Sequence, residues 1–192
     1  DELKALGAEK IKGKIVFYNH IFPQNVVNSF DGYGEAGPYR WRGASEASKL
    51  GAKAVIIRSV GSAHDDFAHT GSTGFADGVK KVPCAALSAV DALIKEPALK
   101  FKMVMNCEML DSVKSYNVIA QITGTQFPNE IIVVGGHLDS WDVGEGAHDD
   151  GSGCTQSLEV LRTLKAINVQ PKRTIRCIFY MNEENGNMGG KT

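Results

Sequence analysis

Gly136-His137-Leu138-Asp139-Ser140-Trp141-Asp142-Val143-Gly144-Glu145-Gly146-Ala147-His148-Asp149-Asp150-Gly151-Ser152-Gly153 is the stretch that decides the reading of this chain. Ile131-Ile132-Val133-Val134 runs straight into it and reads as a buried strand. The strand ends at a His-x-Asp, and a Gly-rich loop then carries a carboxylate pair into a helix. Over residues 152–167 that helix places Leu158, Leu161, Leu164 and Ile167 at i, i+3 spacing, the pattern of a helix packed on a sheet. Pro171 punctuates the turn after it. A second buried strand, residues 174–180, ends in Asn182-Glu183-Glu184-Asn185-Gly186. Strand, helix and strand in this order predict a parallel βαβ unit with its right-handed crossover. Open α/β sheets bind ligands at the carboxyl ends of their strands. His137, Asp139, the Asp149-Asp150 pair and the Glu183-Glu184 pair are therefore read as one site.

Upstream, residues 13–19 read as a short strand and residues 21–38 as irregular, rich in Gly, Asn and Pro. Residues 39–50 have helical spacing, with Trp41, Ala44, Ala47, Ser48 and Gly51 on one face. Residues 52–60 form a clear buried strand, 61–81 a long loop, and 82–87 another strand. A short helix is expected over 89–96, with Ser88 as its N-cap. Alternation over Phe101, Met103, Met105 and Cys107 predicts an edge-like strand at 99–109. A longer strand follows at 113–124, then a turn at Pro128-Asn129. The expected fold class is α/β, with a boundary near 110–116. Residues 1–112 read as a β-rich α+β unit, and residues 113–192 as the first part of an α/β sheet.

The 192 residues leave room for one or two domains. A net charge of −1 gives no reason to expect nucleic acid or an anionic membrane as partner. No apolar run approaches the roughly 18 residues that span a bilayer. Asp1-Glu2-Leu3-Lys4 is no signal peptide and reads as an entry into a longer chain. Gly189-Gly190-Lys191-Thr192 is an equally abrupt end, so a piece of a longer protein is expected. Cys84, Cys107, Cys154 and Cys177 form no Cys-x-x-Cys and read as small buried hydrophobes.

Each motif alone has a bland explanation. His137 and Asp139, at i and i+2 of a strand, share a side. A carboxylate there can fix the tautomer of a metal-binding imidazole, but polar pairs also end strands without any metal. One of Asp149 and Asp150 can simply cap the helix, where free N–H groups favour a carboxylate. Two adjacent glutamates are common on surfaces; here they also allow two roles, one ligating a metal and one taking a proton. Together, one imidazole and several carboxylates at neighbouring strand ends suit zinc in a catalytic rather than a structural site. A carboxylate-rich set also favours two metals with one carboxylate bridging. His20, His64, His69 and His148 read as loop residues. Gly186–Thr192 falls one residue short of a P-loop, and no His-Glu-x-x-His, Gly-x-Ser-x-Gly or EF-hand ladder occurs.

The set Gly136-His137-Leu138-Asp139-Ser140-Trp141-Asp142-Val143-Gly144, Asp149-Asp150-Gly151 and Glu183-Glu184-x-Gly186 resembles the co-catalytic zinc exopeptidases. The likeness extends upstream. Gly43-Ala44-x-Glu46-Ala47, Ile57-Arg58-Ser59-Val60, His69-Thr70-Gly71, Asp77-Gly78-Val79 and Val82-Pro83 resemble the protease-associated domain inserted in members of that family. Pro171-Lys172-Arg173-Thr174 matches as well. The resemblance implies that residues 1–112 are a protease-associated domain, helping to cover the active-site cleft, and residues 113–192 the N-terminal part of a zinc peptidase domain. It implies two Zn2+ ions, with His137 on one, Glu184 on the other and Asp149 bridging both. Glu183 is then the general base, Asp139 orients His137, and Gly151-Ser152-Gly153 opens the helix under the site.

The implied activity is that of an aminopeptidase, dipeptidase or carboxypeptidase on short peptides, in a secreted, periplasmic or lysosomal enzyme. A homodimer is compatible with the family. Two further ligands, an Asp and a His, have no counterpart up to Thr192, so this length of chain alone is expected to be inactive and weak in metal. Two alternatives stand beside this reading: a peptide- or protein-binding module on a catalytically dead relative, and a zinc glutaminyl cyclotransferase of the same fold.

Overall fold

The first apolar runs become three short parallel strands in a computed structural model that describes residues 2–93, 100–108 and 110–192. β1 (Ile15–Tyr18), β2 (Ala54–Arg58) and β3 (Cys84–Leu87) lie in the order β1-β2-β3. β2 is buried along its whole length, which suits a central parallel strand written Ala-Val-Ile-Ile. α1 (Glu2–Ile11), α2 (Ser29–Trp41) and α3 (Gly43–Lys49) accompany this sheet. The core joins Ile11, Val16, Ala44, Ala47, Ala52, Val55 and Ile57. These elements belong to the first of two compact units, Asp1–Glu108; the second is Met109–Thr192.

Several expectations change here. Residues 29–38, read as irregular, are helical. Asn28 caps α2 by accepting the Phe30 N–H at 3.1 Å. The glycines that argued for a loop instead make room for rings: a Cβ at Gly32 would strike Phe22, and one at Gly37 would strike Trp41. The single helix expected over 39–50 is two, α2 and α3, joined at Arg42. Residues 2–11, which show no clear periodicity, form α1, interrupted at Gly7 with φ 73°. Of the helix expected at 89–96, a 3-10 turn at Asp91–Leu93 is present, and Ser88 Oγ accepts the Asp91 N–H at 2.9 Å; residues 94–96 lie outside the described residues. Residues 100–108 form no strand, while 99 and 109 lie outside the described residues. Cys107 is exposed, unlike the buried Cys154 and Cys177. Alternation alone makes no strand without a partner for the backbone.

The second unit carries β4 (Val118–Ile122), β5 (Phe127–His137) and β6 (Arg173–Tyr180) in the order β4-β6-β5. β6 is central, parallel to β5 and antiparallel to β4. α4 (Gly153–Ala166) connects β5 to β6, so the expected parallel βαβ unit is present. The strand read at 113–124 is shorter, reduced to β4. Pro128-Asn129, read as a turn, lies inside β5 where the register shifts between Phe127 and Ile131. A proline cannot donate to the ladder, and the irregularity absorbs it. The apolar run of β5 predicts burial, yet Ile131, Ile132 and Val133 are 43%, 49% and 50% exposed, because β5 is an edge of this three-stranded sheet. The register that matters for chemistry is His137 opposite Tyr180, which brings the two strand ends level.

Thr174, 1% exposed, locks the start of β6. Its hydroxyl accepts the Gly124 N–H at 3.0 Å and donates to the Pro128 carbonyl at 2.7 Å. Thr174→Val keeps the shape and strands both partners. It is expected to lower unfolding stability by about 1–3 kcal/mol in a denaturant titration; an unchanged midpoint would refute the locking role.

Candidate metal centre

His137 is the last residue of β5, and its ring is held from several sides. Nδ1 lies 2.9 Å from the Asp139 carbonyl oxygen and Nε2 2.9 Å from Asp149 Oδ1. The backbone carbonyl of Asp139 thus receives the Nδ1–H and leaves Nε2 facing the carboxylates. The Asp139 carboxylate, expected to orient the imidazole itself, is 3.6 Å from Nδ1. It bonds instead to the end of β6, where its two oxygens accept the Glu183 N–H at 3.0 Å and the Glu184 N–H at 3.2 Å.

The choice left open at Asp149-Asp150 is resolved by hydrogen bonds. Asp150 is the structural member. Its Oδ1 accepts the Gly153 N–H at 3.1 Å at the start of α4, and its Oδ2 accepts the His137 N–H at 3.0 Å. It fits because Gly136 and Gly153 lack side chains; a Cβ at either would strike its carboxylate. Asp149 is left to face Nε2. Cys154 adds a contact that its reading as a small hydrophobe does not foresee, its Sγ donating to the His137 carbonyl at 3.1 Å. His148 is exposed; its carbonyl accepts the Ser152 hydroxyl at 2.8 Å.

β6 delivers the glutamates through a tight reversal. Asn182 has φ 65°, a left-handed conformation that Asn tolerates better than most residues. The chain then turns through Glu183 and Glu184, with Glu183 O accepting the Asn187 N–H at 3.1 Å. This turn aims two consecutive amides at Asp139. The sequence signal for it is an Asn soon after an apolar strand, which by itself marks only where the strand stops.

His137, Asp149 and Glu184 each offer a ligand atom, and these atoms lie within 4.8 Å of one another. Glu183 Oε2 is 3.9 Å from His137 Nε2. The His137 side chain is 12% exposed and that of Asp149 76%, so an anchored imidazole meets an open carboxylate at the surface. Electrostatics favour a cation here. Burial and the neighbouring Asp149 and Glu183 carboxylates raise the Glu184 pKa. Burial works against charge on His137, but its bonds to the Asp139 carbonyl and the Asp149 carboxylate outweigh this and raise its pKa. Burial likewise opposes charge on Asp139, yet the two amides prevail and hold its pKa low. An imidazole and three further carboxylates crowded together, with no lysine or arginine ion pair to them among the described residues, suit a divalent ion with N/O ligands.

Residues 117–192 match the model of peptidase family M28. Carboxypeptidase Q of Mus musculus is 40% identical over 195 aligned residues, covering 98% of this chain and 40% of that protein. The chain thus spans about two fifths of the length of that curated relative. Among solved structures, a peptidase M28 precursor from Shewanella amazonensis SB2B superposes with TM-score 0.83 at 38% identity, over 98% of this chain and 44% of that one. A zinc aminopeptidase from Bacillus subtilis does so with TM-score 0.54 at 27% identity, over 97% of this chain and 40% of that one. The zinc exopeptidase resemblance read from the motifs and these matches agree, and the mixed α/β fold is that of the M28 neighbours.

His137 must shed its proton to ligate, and Glu184 must be ionised. Both pKa values are raised, so protons compete with the metal to higher pH than for free side chains. Apparent zinc affinity, followed by calorimetric titration, is expected to rise with pH through the ordinary histidine range near about 6.5 and to keep rising above it. An affinity flat between about pH 5.5 and 8 would contradict this donor set.

Proposed function

We propose that the peptidase family M28 segment at residues 117–192 makes the whole protein a zinc-dependent exopeptidase that hydrolyses short peptides. The observation that carries this is the convergence of His137, Asp149 and Glu184 ligand atoms within 4.8 Å at the ends of β5 and β6. In this reading His137, through Nε2, and Glu184, through its carboxylate, would hold zinc, and Asp149 would be a ligand shared by two ions. Further ligands come from parts of the protein outside these 192 residues, and the chain alone is inactive. Residues 1–112 serve as a protease-associated domain that governs substrate access, and the enzyme is secreted or periplasmic.

Zinc, when bound, supplies Lewis acidity that polarises the scissile carbonyl and makes water more acidic. The protein's own groups do the rest. Asp139 keeps Glu183 and Glu184 in register by holding both amides. The Asp139 carbonyl holds the Nδ1–H of His137, so that the Nε2 lone pair stays on the ligand side. Glu183, with its carboxylate at the edge of the donor cluster, takes a proton from the attacking water. As the C–N bond breaks, it hands that proton to the leaving amine nitrogen.

Glu183→Gln in the whole protein is expected to leave zinc content unchanged and to reduce dipeptide turnover about 10²–10⁴-fold. Turnover near wild type would remove Glu183 from the base role. A panel pairing dipeptides with N-terminal glutaminyl substrates separates peptidase from cyclotransferase chemistry. Inactivity on both, with zinc retained, would favour a binding module.

A further inference from the structure

The loop that carries Glu183 and Glu184 is fastened at its neck by a side chain from another strand. β6 ends at Tyr180, and the chain comes back beside it at Gly189, whose N–H donates to the Met181 carbonyl at 3.0 Å. Between these limbs Asn182 (φ 65°) and Asn187 (φ 55°) hold left-handed backbone. Such residues persist where their surroundings over-determine them. Part of the hold is internal. The Met188 N–H donates to the Asn182 carbonyl at 3.3 Å, and Lys191 Nζ donates to the Gly186 carbonyl at 2.7 Å. The Gly189-Gly190-Lys191-Thr192 run, which falls short of a P-loop, thus serves as the returning limb.

Asn117 completes the neck. The β4–β6 ladder ends with Val118 opposite Phe179. One residue before Val118, the half-buried side chain of Asn117 takes over from the backbone. Its Oδ1 accepts the Met181 N–H at 2.9 Å, and its Nδ2 donates to the Gly189 carbonyl at 2.9 Å. A carboxamide has both an acceptor and a donor end, which an ionised carboxylate lacks. One side chain therefore meets both limbs. Gly189 permits the approach, since a Cβ there would strike the Met181 backbone and Asn117 Oδ1.

We propose that Asn117 is a positioning residue for the peptidase chemistry, setting where the Glu183 carboxylate stands. This role rests on the exopeptidase reading. Asp139 holds the Glu183 and Glu184 amides from the β5 side; Asn117 holds the limbs of their loop from the β4 side. Glu184, as a ligand, is also drawn into place by the ion it binds. Glu183, as a base, depends on the backbone beneath it to keep its carboxylate near His137, with Oε2 3.9 Å from Nε2. A loosened neck therefore costs the base more than the ligand. A misplacement of about 1 Å can cost about 10²-fold in rate.

Comparing the whole protein with its Asn117→Ala and Asn117→Leu variants tests this. Leucine nearly keeps the size and removes both bonding ends, so it serves if the alanine variant fails to fold. Without substrate, backbone hydrogen exchange over residues 181–189, followed by mass spectrometry, is expected to quicken about tenfold, with residues 173–180 unchanged. On dipeptides kcat is expected to fall roughly 10–100-fold, with KM and zinc content close to wild type. A general stabilising role would instead quicken exchange through β6 as well and spare kcat below the unfolding temperature. A zinc-loaded wild type inert on dipeptides would sink the exopeptidase reading and the catalytic half of this role together, and exchange would still decide whether Asn117 holds the loop. Unchanged exchange over 181–189 would overturn the proposal. So would wild-type kcat in the folded variants where Glu183→Gln abolishes turnover, and there the exopeptidase reading would stand.

Discussion

The candidate site depends on one carboxylate bridging two strand ends. Asp139, just past β5, accepts the N–H groups of Glu183 and Glu184, just past β6. Hydrogen bonds to an ionised acceptor are the stronger kind, and this pair holds Asp139 in its charged form. The register of β5 against β6 places His137 opposite Tyr180, so the two ends meet level before Asp139 ties them. Without that tie, the Glu183-Glu184 turn would lose the two backbone hydrogen bonds that fix it to the His137 side.

A second clamp works from the helix side. Asp150 joins the first turn of α4 to the backbone of His137, in a space left open by Gly136 and Gly153. Both clamps use acidic residues as structural acceptors and leave the carboxylates of Asp149, Glu183 and Glu184 free to gather near the His137 ring. The division of labour among five clustered acids follows from which of them meet backbone N–H groups. Those that do are held in fixed positions; those that do not crowd one another around His137, and burial together with that crowding raises the Glu184 pKa.

The βαβ unit is legible in the sequence because its signals are long-range and redundant: two apolar runs, helical spacing between them, and acids at both strand ends; the face is misjudged, since Cys154, Ser157 and Leu161 are buried while Leu158 and Ile167 are exposed. The choice between Asp149 and Asp150 is not, because adjacent identical residues differ only in which backbone groups they meet. The role of Asp139 is half legible. Its place beside His137 follows from strand geometry, but its carboxylate serves the Glu183 and Glu184 amides while its carbonyl serves the imidazole. Helix α2 escapes a sequence reading for an opposite reason. Gly32, Gly37 and Pro38 are loop signals locally, and only the rings of Phe22 and Trp41, packed where side chains would stand, explain the two glycines. The strand expected near Phe101 shows the remaining gap, since periodicity reports a face and not the neighbour that must pair with it.

The central claim is that one imidazole and a set of carboxylates, with no thiolate, form a zinc site at the ends of β5 and β6. X-ray absorption at the zinc edge of the loaded whole protein tests it most directly. Zinc surrounded by N/O scatterers at about 2.0–2.2 Å, with an imidazole signature weakened in His137→Ala, is the expected result. A zinc–sulfur shell near about 2.3 Å, or an unchanged spectrum in His137→Ala, would contradict it.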